Sequence, residues 1–256
     1  MDPVEKKTST IDDTTGAEPK TRLDPDTKGT TMTVEPSKVT IVATPRERYA
    51  IAIESLESIY NHTTTPFELV YVNGGGPWAL RRRLRSEAES RGFTLIQTPR
   101  HLSPNQARNF GLTRVTTPYV VFVDNDLIVT DGWLDQLLSC AEQTGADLVG
   151  PLYFEGDPAD RIIHMAGGDY RFEGSPGTRR FSTVHRLQGV RLDDAPELVR
   201  QPVDFVEFHC MLARTSSLGD VGGLDERLLS TREHLDLCLA VREAGGSVYF
   251  EPDSEV

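Results

Sequence analysis

Two aspartates two residues apart, Asp124 and Asp126, close the run Tyr119-Val120-Val121-Phe122-Val123 and have the side chains and spacing best suited to chemistry in this chain. The residues before them are apolar or aromatic, as in a strand buried on both faces of a parallel sheet. In open α/β sheets ligands bind beyond the carboxyl ends of the strands, where these acids fall. In extended backbone, residues two apart project to the same side. The pair would then repel unless a cation lay between them, and hard carboxylate oxygens suit Mg²⁺ or Mn²⁺. An ion held in this way would grip a diphosphate. The same residues also fit an Asx turn that merely ends the strand.

A second cluster lies at Thr231-Arg232-Glu233-His234-Leu235-Asp236. Glu233, His234 and Asp236 fall near the start of a predicted helix, where the dipole favours carboxylates. They fit either plain capping or a general base at a cleft, the base being a carboxylate or His234, whose ordinary pKa is near ~6.5. Asn73 ends another apolar run, and its amide can both donate and accept at a base edge or simply close a turn. The Gly74-Gly75-Gly76 sequence after it matches neither a dinucleotide fingerprint nor a Walker loop. In Asn105-Gln106-Ala107-Arg108-Asn109-Phe110-Gly111, Arg108 lies near a helix N-terminus and could neutralise a diphosphate or reach a base. Arg81 to Arg85 read as a solvated face, with Arg83 and Glu87 at helical pair spacing. His164 and His209 fit ligands, acceptor contacts or satisfied structural histidines.

These residues need a scaffold, and the hydrophobic pattern supplies one. Strand-like runs at Val39–Ala43, Phe67–Val72, Phe93–Ile96, Tyr119–Val123 and Asp147–Gly150 alternate with helical stripes through Ile51–Tyr60, Leu80–Leu84, Ala107–Phe110 and Trp133–Leu138. Such alternation predicts a parallel, right-handed, doubly wound α/β sheet, with Ser103 as the cap of the third helix. Residues 151–202 predict hairpins and loops, Val203–Ala213 a further strand, and Arg232–Ala244 a helix burying Leu235, Leu237, Leu239 and Val241. Ser247–Phe250 predicts a last strand. Residues 38–150 thus form an expected nucleotide-binding half and 151–256 an acceptor-side half. Residues 1–37, poor in large apolar groups, predict a disordered tail.

The chain has 256 residues and a formal charge of −12. That charge disfavours nucleic acid or an anionic membrane surface as a general partner. No apolar run approaches the ~20 residues that a transmembrane helix needs, and no secretory signal opens the chain. Cys140, Cys210 and Cys238 have no paired spacing, which fits a reducing cytoplasm.

In order and spacing these motifs resemble family-2 glycosyltransferases of the GT-A fold from about Val39 to Ser254. The likeness rests on Thr44-Pro45, Val72-Asn73-Gly74, Asn105 to Gly111, Asp124-Asn125-Asp126 as a DxD motif and Gly132-Trp133-Leu134. It continues through Cys210 to Arg214, Gly222 to Glu226, and Glu233 to Leu239 with Glu243-Ala244-Gly245-Gly246. The resemblance implies transfer of a sugar, with inversion, from a UDP-, GDP- or dTDP-sugar to a hydroxyl of a glycan, lipid-linked or small-molecule acceptor. It implies that Thr44, Pro45, Glu47, Asn73, Arg108, Asp124 and Asn125 bind the donor. Asp126 and Asp124 would face Mn²⁺ or Mg²⁺, and Glu233, His234 or Asp236 would supply the base. Many relatives have Asp at the position of Asn73 and Glu-Asp at that of Glu233-His234. The end at Val256, where relatives usually continue, implies a truncated or partner-completed domain. Two alternatives are a non-catalytic nucleotide-sugar-binding or partner-binding domain and a nucleotidyltransferase. The latter would call for a Gly-rich loop with Lys after the first strand, and Thr44-Pro45-Arg46-Glu47-Arg48 lacks it.

Overall fold

The computed structural model describes residues 36–45, 48–175, 177–229 and 231–256. Most of the expected tail, and Glu47, lie outside them. The elements in chain order are β1 (Val39–Thr44), α1 (Ala52–Asn61), β2 (Phe67–Gly74), α2 (Trp78–Arg91), β3 (Thr94–Thr98), α3 (Pro104–Leu112), β4 (Tyr119–Asp124), α4 (Trp133–Thr144) and β5 (Leu148–Glu155). They continue with β6 (Ile162–Met165), β7 (Gly168–Glu173), β8 (Arg180–His185), β9 (Gln201–Pro202), β10 (Cys210–Arg214), α5 (Thr215–Asp220), α6 (Glu233–Glu243) and β11 (Val248–Glu255).

One sheet carries the order β3-β2-β1-β4-β10-β5-β11-β9, with β6 beside β5. Strands β3, β2, β1 and β4 pair in parallel, as do β5 and β11. Strand β10 pairs antiparallel with both β4 and β5, so the main strands on either side of it share one direction. This is a mostly parallel α/β sheet, as the strand–helix alternation predicts, with β10 reversed within it. The runs β1 and β4 are buried along their whole length, which their unbroken apolar sequences require of strands covered on both faces. Trp133, Tyr71, Phe122 and Leu56 are among the fully buried side chains around this sheet. Helix α3 starts as expected. The Ser103 hydroxyl accepts from the Gln106 N–H, and the Gln106 side chain accepts from the Ser103 N–H, a complete capping box.

Three local expectations change. Of Val203–Ala213, only the part from Cys210 on is strand, because Val203–His209 is held by other contacts: Phe205 bridges to Gly168, and the Tyr153 hydroxyl accepts from Glu207 N–H. Helix α6 buries Cys238 instead of Leu239, which is half-buried, since alternate residues cannot all face one side of a 3.6-residue turn. Finally, β4 stops at Asp124. The backbone then turns, Leu127 N–H donating to Asp124 C=O at 3.3 Å, so Asp124 and Asp126 do not share an extended segment. The hairpin of β7 and β8 occupies the stretch read as hairpins and loops. Among the described residues, no helix is long and apolar enough to cross a membrane.

All three cysteines are buried and free. Burial pushes the thiols of Cys140 and Cys238 up to about 12, and that of Cys210 well above its usual value. Because the thiolate is the reactive form, a thiol reagent at pH 8 is expected to leave the native protein unlabelled and to modify all three cysteines in denaturant. Rapid labelling of the native chain would contradict this packing.

Candidate active site

Asp124 at the end of β4 and Glu233 at the start of α6 meet at Arg108 of α3. Arg108, on α3, is fully buried, a state that arginine tolerates only with its charge matched. Its Nη2 donates to Asp124 Oδ1 at 3.1 Å, and its Nη1 donates to Asn105 Oδ1 at 3.3 Å and lies 3.7 Å from Glu233 Oε1. The guanidinium also stacks on the Phe208 ring, 4.0 Å from its centroid. Asp124 Oδ2 pairs with His209 Nδ1 at 3.0 Å. The negative charge of Asp124 is therefore met by protein groups on both oxygens. The face of α3 that carries Arg108 is held in place by Asn105 and Asn109, whose side-chain N–H groups donate to the carbonyls of Asp225 and Leu224.

A cavity of about 280 Å³ opens beside this pair, lined by Asp124, His185, Glu207, His209, Glu233 and His234 among others. Glu207 is its hub. The Glu207 carboxylate lies 2.8 Å from His164 Nε2, 3.4 Å from His185 Nε2, 3.4 Å from His209 Nε2 and 3.8 Å from His234 Nε2. Burial pushes the Glu207 carboxyl up, but the His164 hydrogen bond and the surrounding imidazoles outweigh it and bring it down to about 2. His164 is raised, chiefly by its bond to Glu207. Burial lowers His185, and it lowers His234 to about 4 against the opposing pull of Glu207 and Glu233. The His164 bond is the largest of the effects that hold Glu207 ionised, and His234, neutral at pH 7, adds no charge there.

The other expected site residues divide by position. Thr44 and Asn73 end the neighbouring strands β1 and β2 and are buried. Among the described residues, Thr44 Oγ1 and Asn73 Nδ2 have no hydrogen-bond partner, while Asn73 Oδ1 accepts from Gly76 N–H. Asn125 is buried, its backbone N–H donating to Thr44 C=O at 2.9 Å, and Pro45 follows directly on β1. Asp126 is half-buried and is not among the residues lining the cavity. Asp236 is exposed and also stands outside that lining. Of the base candidates, Glu233 and His234 face the cavity.

The model of the family described as glycosyl transferase family 2 matches residues 40–218. The chain belongs to that family. Within it, the chain is 32% identical over 158 residues to a pre-mycofactocin glycosyltransferase of Mycobacterium tuberculosis, covering 62% of this chain and 30% of that protein. It is 30% identical over 146 residues to an N-acetylglucosaminyl-diphospho-decaprenol L-rhamnosyltransferase of the same organism, covering 54% of this chain and 46% of that one. The chain thus spans less than half the length of these curated relatives. A structure of GalNAc-T7 with UDP, GalNAc and Mn²⁺ superposes with a TM-score of 0.65 at 15% identity, over 86% of this chain and 44% of that one. The mannosyltransferase PcManGT from Pyrobaculum calidifontis, with GDP-Man and Mn²⁺, gives 0.57 at 15% identity, over 87% and 56%. At that identity the two structures speak for the fold alone. Membership of glycosyl transferase family 2 leaves the nucleotidyltransferase alternative without support.

Against the family-2 motifs, Glu207 and His185 are the site residues that the sequence did not single out. Glu207 had one signal, an acid inside the apolar run Val203-Asp204-Phe205-Val206-Glu207-Phe208. A charge placed there must be buried and partnered. His185 had none, since it ends an exposed hairpin strand.

Proposed function

We propose that this chain is the catalytic domain of a metal-dependent, inverting glycosyltransferase that moves a sugar from a nucleotide-sugar donor to an acceptor hydroxyl. The observation that carries the reading is the position of Asp124. It stands at the carboxyl end of the central strand, oriented by Arg108 and His209 into a cavity whose far wall is Glu233-His234. In this reading Asp124 binds a hydroxyl and the Glu233-His234 wall accepts a proton on the same cleft, as transfer between two hydroxyl-bearing substrates requires.

The nucleoside would lie over the ends of β1 and β2. The Asn73 amide and the Thr44 hydroxyl there lack partners among the described residues, and leaving a buried donor unmet costs about 1–3 kcal/mol, which a bound ligand can recover. Asp124, with both oxygens already engaged, suits a ribose or donor-sugar hydroxyl better than a bare cation. Arg108 then acts by fixing Asp124 and Glu233. Asp126 offers the hard carboxylate oxygen that Mg²⁺ or Mn²⁺ takes, so it fits the ion that the fold family implies. Such an ion, when bound with the diphosphate, offsets the charge that develops on the leaving group.

His234 is the base in this reading. It is neutral above about pH 4, so its imidazole can accept the acceptor hydroxyl proton while that oxygen attacks the anomeric carbon opposite the diphosphate. Attack from that face inverts the centre. Glu207 Oε1, 3.8 Å from His234 Nε2, stabilises the imidazolium that results. The free thiols fit a reducing, cytoplasmic setting. The acceptor would be a glycan, a lipid-linked sugar or a small molecule.

A hydrolysis and transfer screen across UDP-, GDP- and dTDP-sugars with Mn²⁺ tests the proposal. Release of the free nucleotide diphosphate from one donor class is expected. Binding of a donor without turnover under every condition would instead favour a non-catalytic nucleotide-sugar-binding domain.

A further inference from the structure

The imidazoles around Glu207 exceed what sugar transfer needs, and the geometry of two of them is specific. His164, on β6, and His185, at the end of β8, reach the same carboxylate from the loop before β10. One ligand atom from each of His164, His185 and Glu207 can be chosen so that all lie within 4.8 Å of one another. His164 Nε2 lies 2.8 Å from Glu207 Oε2, and His185 Nε2 lies 3.4 Å from Glu207 Oε1. Ligands about 2.0–2.1 Å from a tetrahedral Zn²⁺ stand roughly 3.3 Å apart, so each carboxylate oxygen already stands near ligand spacing from one imidazole.

The surroundings of His164 add an independent point. Its Nδ1 lies 3.1 Å from Glu155 Oε2. A carboxylate there can accept a hydrogen bond from Nδ1–H, the tautomer that leaves the Nε2 lone pair for a metal, as the outer carboxylate does in carboxylate–histidine–metal triads. In that tautomer the Nε2 lone pair and the carboxylate oxygen 2.8 Å away need a positive charge between them, which a metal ion or a proton supplies. Glu207 is itself anchored. The Tyr153 hydroxyl accepts from its N–H at 3.2 Å and donates to Cys210 C=O at 2.7 Å.

We propose that His164, His185 and Glu207 form a binding site for a borderline divalent cation of the Zn²⁺ class, with its open coordination side toward the cavity where His209 and His234 stand. Two imidazoles and one carboxylate favour Zn²⁺, Co²⁺ or Fe²⁺ over Mg²⁺, in contrast to the oxygen donor at Asp126. The site goes beyond the sugar-transfer reading and does not depend on it.

Metal-stripped protein titrated with Co²⁺ alone, followed by displacement with Zn²⁺, tests the site without any nucleotide. One equivalent of Co²⁺ is expected to give the visible bands of a low-symmetry nitrogen-ligated ion, and Zn²⁺ should abolish them. His164→Asn and His185→Asn should each remove the bands or weaken Co²⁺ binding at least tenfold, while Asp126→Asn leaves them unchanged. Glu155→Gln should weaken binding about 10- to 100-fold through the loss of the outer carboxylate. Glu155 is exposed, so this variant decides the question should the histidine variants fail to fold. Absence of the bands in the wild type, as a proton shared between His164 and Glu207 would give, overturns the proposal. Bands indifferent to the histidine substitutions or to Glu155→Gln overturn it as well.

Discussion

Replacing Arg108 with Met is expected to cost about 3–5 kcal/mol of folding stability, read as a lower urea midpoint at unchanged m-value. The size follows from what the substitution leaves behind. Arg108 and Asp124 are 0% and 2% exposed in their side chains, and Glu233 is 4% exposed. Removing the cation takes a charge partner from two buried carboxylates beside an aromatic face, while His209 stays paired with Asp124. Methionine keeps most of the apolar stem and its contact with Phe208, so the loss reports charge rather than volume. A double variant, Arg108→Met with Asp124→Asn, should lose less than the sum of its parts, because the partners share one interaction. Strict additivity, or a loss under about 1 kcal/mol, would show that the pair is not holding the cleft together. Domains of this kind have total stabilities of about 5–15 kcal/mol, so the single variant should still be measurable but sharply less tolerant of heat.

The second large effect is kinetic. His234→Ala is expected to lower kcat by roughly 10²- to 10⁴-fold, the usual contribution of a positioned general base, while donor affinity stays near wild type. That split marks a group acting in the chemical step rather than in binding. Its position explains the expectation. His234 opens the first turn of α6, lines the cavity, and has its imidazole held neutral by burial. Glu233, its neighbour, faces Arg108, and Asp236 is exposed away from the cavity lining. A His234→Ala enzyme with undiminished turnover would move the role to Glu233, and the corresponding Glu233→Gln variant would then carry the loss.

Much of the scaffold was legible because hydrophobic periodicity reports burial directly. The continuous runs of β1 and β4 could only be strands covered on both faces, and Ser103 marked a helix start. The antiparallel direction of β10 was not legible, since Cys210-Met211-Leu212-Ala213 reads the same whichever way it enters a sheet. At the site, Asp124 and His234 stood out because each sits where a periodic element meets a polar cluster. From the sequence Arg108 reads as a diphosphate or base contact. Nothing local to α3 reveals that two carboxylates, one 16 residues away and the other over 120, converge on it. The turn after Asp124 was equally hidden, because the Asx-turn and extended readings of Asp124-Asn125-Asp126 share one sequence. Glu207, His164 and His185 are distant in the chain and ordinary taken singly. The β7–β8 hairpin and the bridge between Gly168 and Phe205 bring them together, and neither leaves a motif.

The role of Asp126 at the lip of the central sheet is tested most directly by calorimetric titration of the wild type and Asp126→Ala with UDP-, GDP- and dTDP-sugars, each with and without Mn²⁺. One donor class is expected to bind the wild type only when Mn²⁺ is present, and that dependence should vanish with Asp126. Donor binding indifferent to the ion and to this substitution would contradict the account.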